Sequence, residues 1–80
     1  MKTVLEQLAE EITKSRNRNE IIKEIEWFLQ GHYTKCRFLA VLMTYRLFKP
    51  EYRKLSEELE NRDLLLKLYI LIKENIKKQS

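Results

Sequence analysis

Apolar side chains recur every three or four positions along most of this chain, and polar clusters interrupt the recurrence at intervals of a dozen or so residues. That spacing is the signature of short amphipathic helices. The first stripe is Val4, Leu5, Leu8, Ala9 and Ile12, with Glu6, Glu10 and Glu11 on the opposite side. Thr3 and Glu6 stand in the T-x-x-E relation of a capping box, where each side chain can satisfy the other residue's free backbone amide. This predicts a helix over 3–15. Ser15-Arg16-Asn17-Arg18-Asn19 is a polar break. Asn17 followed by Glu20 fits an N-cap, with Asn19 a second candidate. Ile21, Ile22, Ile25, Phe28 and Leu29 then predict a helix over 18–30, Trp27 falling at the edge of its stripe. Gly31 sits where a helix ends in the left-handed region.

Tyr33 to Phe48 is the most apolar run, bounded by the single glycine, Gly31, and the single proline, Pro50. It is too long for a strand and fails the alternation test, so it predicts a helix over 33–48. At about 100° per residue its apolar positions fall into two lobes. Cys36, Leu39, Ala40, Met43 and Leu47 make one, and Phe38, Val41, Leu42, Tyr45 and Phe48 the other. Leu39 and Met43 are expected in the core, against Leu8, Ile25, Leu68 and Leu71. The second lobe is then left for a partner. Pro50 suits the first turn of a fourth helix, 50–60, with Tyr52, Leu55 and Leu59 as its inward candidates. Asn61 is expected to cap a last helix over 62–77. There Leu64, Leu65, Leu68, Leu71, Ile72 and Ile76 form a broad stripe, and Leu66 and Ile70 fall outside it. The expectation is one all-α domain over 1–80, a compact bundle of four or five short helices around the apolar helix at 33–48.

Eighty residues lie near the lower limit for a self-sufficient core, and one cysteine rules out an internal disulfide. Efficient helix packing, a partner or self-association must supply the remaining stability. A lone thiol suits a reducing interior, and Met1–Lys14 has no apolar core segment of a signal peptide, so a cytoplasmic protein is expected. The longest apolar runs, at 38–43 and 64–72, are short of the roughly 20 residues a membrane span needs.

The net charge of +4 is local. Residues 32–54 carry Lys35, Arg37, Arg46, Lys49, Arg53 and Lys54 against Glu51 alone, for +5, while the flanks are close to neutral. Tyr33, Tyr45 and Tyr52 interleave with these charges. Such a patch can contact phosphates and stack on bases, or its long side chains can simply cover the rims of a buried helix.

Catalytic chemistry is thin. His32 and Cys36 lie four apart and would be neighbours on a helix, but no third group accompanies them. As a single set they are too few for structural zinc. No glycine loop for phosphate is present. The sequence therefore points away from an enzyme, and toward no cofactor, metal or small-molecule substrate. The expected function is a small helical protein–protein interaction module (adaptor, inhibitor or regulator), most simply a homodimer. Its interface would draw on Phe38, Val41, Leu42, Tyr45, Phe48, Leu66 and Ile70. The alternative is a small DNA- or RNA-binding regulator using 32–54.

Overall fold

The computed structural model of the chain describes residues 2–31, 37–47, 49–58 and 62–79, and the side chains of all of these except 37–39, 41, 56 and 57. The described residues form five α-helices and no strand: α1 Val4–Lys14, α2 Arg18–Leu29, α3 Arg37–Thr44, α4 Pro50–Glu58 and α5 Arg62–Gln79.

Local chemistry explains most of the boundaries. The Glu6 amide donates to Thr3 Oγ1 at 3.1 Å, and the Thr3 amide donates to a Glu6 carboxylate oxygen at 3.3 Å, which completes the capping box. α1 stops at Ser15, whose backbone turns extended. The Ser15 hydroxyl then accepts from the Asn17 amide at 3.1 Å, so serine organises the turn. Asn17 precedes α2 as expected but makes no side-chain cap bond, which corrects its assumed role. α2 ends with Gly31 at φ +86°, its amide donating to the Phe28 carbonyl at 2.9 Å. Arg62, at the start of α5, donates to the Leu29 carbonyl, one of the acceptors that the end of α2 leaves without a helical partner.

The end of α3 departs from the sequence expectation. The helix stops at Thr44 rather than running to 48, and it does so without a glycine. Arg46 takes the left-handed conformation, φ +59°. Its amide donates to Met43, and the Leu47 amide reaches back to Leu42 at 2.8 Å. These two bonds are the Schellman pattern, with arginine at the position that usually holds glycine. A left-handed residue with a Cβ costs about 1–2 kcal/mol, and glycine carries an unfolded-state penalty of about 0.5–1 kcal/mol. Arg46→Gly is therefore expected to raise stability by about 0.5–1 kcal/mol, read as a higher urea midpoint at unchanged m-value.

The core gathers Leu8, Ala9 and Ile12 from α1, Ile21, Ile22 and Ile25 from α2, Leu42 from α3, Tyr52 and Leu55 from α4, and Leu65, Leu68 and Ile72 from α5. α1 and α5 form the broadest pairing, and α5 also packs on α2. α3 lies against α2 and α4. The bundle is thus all-α, but among the described residues its packing centre is the α1/α5 seam, where residues far apart in the chain meet, rather than 37–44.

The two lobes of α3 do not divide between core and solvent as expected. Leu42, assigned above to a partner, is fully buried in the chain's own core. Tyr45, from the same lobe, is half-buried against that core. Met43, expected inside, is 59% exposed, and Ala40 is exposed too. The cap supplies the reason. It bonds the Leu47 amide to the Leu42 carbonyl, and Leu47 packs on the same core, so the last turn is held with Leu42 inward. The side chain of Leu39 lies outside the described residues.

Thr13 is the one buried polar side chain among the described residues. Its hydroxyl donates to the Ala9 carbonyl at 2.7 Å, so burial leaves it satisfied.

Candidate interaction surface

α5 has one side in the core and one in solvent. Leu65, Leu68 and Ile72 are fully buried, with Leu64, Tyr69, Leu71 and Ile76 packed partly against the core. On the outer side Leu66 and Ile70 are 45% and 46% exposed. They stand four apart and are therefore neighbours on the helix surface. Asp63, Lys67, Lys73, Glu74 and Lys77 surround them, all exposed.

A shallow groove of about 400 Å³ runs from Ile70 to the start of α1. Leu5, Ile70 and Leu71 supply its apolar lining, and Thr3, Glu6, Lys67 and Glu74 its polar edge. Val4, in the first turn of α1, is 37% exposed. Apolar surface on α5 thus continues toward the amino-terminal turn of α1. Periodicity places Leu66 and Ile70 outside the inward stripe of α5. The groove depends on α1 lying beside α5, and no local signal carries that.

Polar contacts lie on the flanks of both helices. Lys2 pairs with Glu10, and this hydrogen bond holds the Glu10 carboxyl below its usual range. On the other side of α5, the Tyr69 hydroxyl donates to Glu26 of α2 at 2.7 Å, and Lys73 lies over the Tyr69 ring, 5.4 Å from its centroid. The hydrogen bond to Glu26, with some burial, raises the Tyr69 pKa.

The basic segment is dispersed by comparison. Arg46, Arg53 and Lys54 are exposed. Lys49 pairs with Glu11 of α1, and that hydrogen bond raises its pKa. Lys49 also sits 5.8 Å from the Tyr52 ring centroid. Tyr52, a candidate for base stacking, is buried at 1% exposure and is a core residue. Lys35, Phe48, Tyr33, His32 and Cys36 lie outside the described residues, as do the side chains of Arg37, Phe38 and Val41. The expected juxtaposition of His32 and Cys36 falls there too.

Among the described residues no group of three or more His, Cys, Asp or Glu side chains is placed to hold a metal ion, and no helix is long and apolar enough to cross a membrane. Compared with protein-family models, with curated proteins and with solved structures, the chain matches none.

Proposed function

We propose that this chain is a small helical protein–protein interaction module, of the adaptor, inhibitor or regulator kind, that works as a homodimer through the outer face of α5. One observation carries the reading: Leu66 and Ile70 present adjacent apolar side chains to solvent on a helix whose opposite side is fully buried. The neighbouring groove to Leu5 extends that surface. A short chain with a small core gains stability from covering it. The single cysteine supports the cytoplasmic setting expected from the sequence. Of the interface residues expected from α3, Leu42 is withdrawn into the core and Tyr45 half so, which moves the weight of the proposal onto α5.

Light scattering at micromolar concentration tests this. The wild type is expected at dimer mass. Ile70→Glu, at an exposed position, is expected at monomer mass with unchanged helical circular dichroism. A wild type that stays monomeric rejects the homodimer, and a dimer indifferent to Ile70→Glu rejects the α5 face.

The alternative is nucleic-acid binding through Arg46, Arg53 and Lys54, which the structure exposes near one another in sequence. Salt separates the readings: duplex binding falls steeply as salt rises, whereas an apolar interface tolerates it. With Lys49 engaged by Glu11 and Tyr52 in the core, the described residues supply less of that surface than the sequence suggested.

A further inference from the structure

Five charges flank Ile70 on the outer side of α5: Asp63 and Lys67 before it, Lys73, Glu74 and Lys77 after it. At about 100° per residue, all five project within about 60° of Ile70, with Lys67 and Glu74 on one side of it and Lys73 on the other, its ammonium over the Tyr69 ring. With Lys73 engaged on the Tyr69 ring, the order of the other four along the helix is negative, positive, negative, positive. Asp63 and Lys77 stand equally far from Ile70 in opposite directions, and Lys67 and Glu74 nearly so.

We infer that the outer face of α5 docks a second copy of itself antiparallel, with the two-fold axis passing at Ile70, so that Lys67 meets the partner's Glu74 and Asp63 meets the partner's Lys77. This inference rests on the homodimer reading above and adds its register and polarity. A two-fold axis at Ile70 inverts the order of charges on the second helix, so that Asp63, Lys67, Glu74 and Lys77 each meet the opposite sign while Lys73 falls beside the apolar Leu66 position. A parallel pairing sets Asp63 and Lys77, which face the partner most directly, each against its own twin, two like-charge contacts that oppose association. Asp63 with Lys67 and Glu74 with Lys77 are already neighbours of opposite sign within one helix. The antiparallel pair therefore closes alternating rings of charge around an apolar centre of Ile70 and Leu66. Positions 63, 70 and 77 are seven residues apart and share the facing side of the helix, with Ile70 the apolar member between Asp63 and Lys77.

Charge exchange tests the register. Lys67→Glu sets like charges opposite one another twice per dimer, and the dimer dissociation constant is expected to rise about tenfold, as is that of Glu74→Lys. The double variant Lys67→Glu/Glu74→Lys restores opposite signs across the axis and should return to within about threefold of wild type. A double variant that stays as weak as the single ones, or single variants with no effect, overturns the antiparallel register while leaving the α5 face standing on the Ile70→Glu result. A wild type that never dimerises removes both. Crosslinking gives an independent readout. In a Cys36→Ser background, Ile70→Cys should form a covalent dimer under mild oxidation, since the axis brings the two Cα atoms within the roughly 4.4–6.8 Å a disulfide spans. Lys54→Cys, on the exposed side of α4, should not. Equal crosslinking at both positions overturns the register as well.

Discussion

Leu68→Ala is expected to remove a large share of the chain's stability at ambient temperature. Leu68 is fully buried in the middle of α5, the helix that packs on both α1 and α2. Truncation there removes the side chain's transfer free energy and leaves a cavity that the surrounding helices fill only in part, at a cost of about 2–5 kcal/mol. A chain of this length has roughly 4–12 kcal/mol of stability to lose, so the upper part of the range consumes most of it. Relaxation should also be limited. Leu68 has Leu65 and Ile72 as fully buried neighbours on its own helix, and Leu8, Ile12 and Ile25 complete the same core. Urea unfolding followed by circular dichroism reads the effect. A midpoint equal to wild type would mean that the α1/α5 seam does not organise the fold. The contrast with Leu66→Ala is part of the same result. That side chain is nearly half exposed two residues away, and its truncation should cost the isolated chain well under 1 kcal/mol.

The same contrast between Leu66 and Leu68 shows what was legible in the sequence. In α1, α2 and α5 a single apolar stripe separates inward from outward positions, so burial follows from spacing. Leu8, Ile12, Ile21, Ile25, Leu65, Leu68 and Ile72 fall where the pattern puts them. Thr3, Glu6 and Gly31 mark helix ends because their side chains, or the lack of one, carry the local chemistry of a cap. α3 offers neither aid. It is apolar on two sides, so its own periodicity is satisfied by either lobe facing in. The terminus that decides between them is made by Arg46 in a conformation that arginine rarely adopts. Tyr52 was equally ambiguous, since a phenol suits a core as well as a stacking surface. Its burial follows from α4 lying against α1, a pairing of segments some forty residues apart. The apolar face of α5 was legible for the converse reason. Leu66 and Ile70 lie outside a well-defined stripe, and no packing within the described chain draws them in.

Alkaline pH is expected to unfold the protein through Tyr52, and the direction follows from which state holds its proton more tightly. Burial pushes the Tyr52 hydroxyl well above the usual tyrosine value of 10.0, and the carboxylates of Glu11 and Glu51 push it the same way. Ionising it in place would put a phenolate in the core beside acidic groups. The unfolded chain has no such penalty and loses the proton near pH 10. Above that pH the folded state binds more protons than the unfolded state, so stability falls as pH rises. The contribution is fully present below pH 10, and each further unit removes about 1.4 kcal/mol for this one group until the folded-state value is reached. Tyr69, raised by its hydrogen bond to Glu26, and Lys49, raised by its hydrogen bond to Glu11, shift in the same direction. Lys49 stabilises while charged and loses that role as it deprotonates, again at rising pH. The urea midpoint should therefore hold steady from neutral pH to about pH 9.5 and then drop steeply. Tyr52→Phe keeps the ring in the core and deletes the titrating hydroxyl, so the drop should become shallower by about one proton's slope. Phenolate absorbance gives the direct check: of the four tyrosines, at least one should titrate only as the helical signal is lost. If all four ionise near pH 10 while the helices persist, Tyr52 is solvated and α4 does not pack on α1 as described.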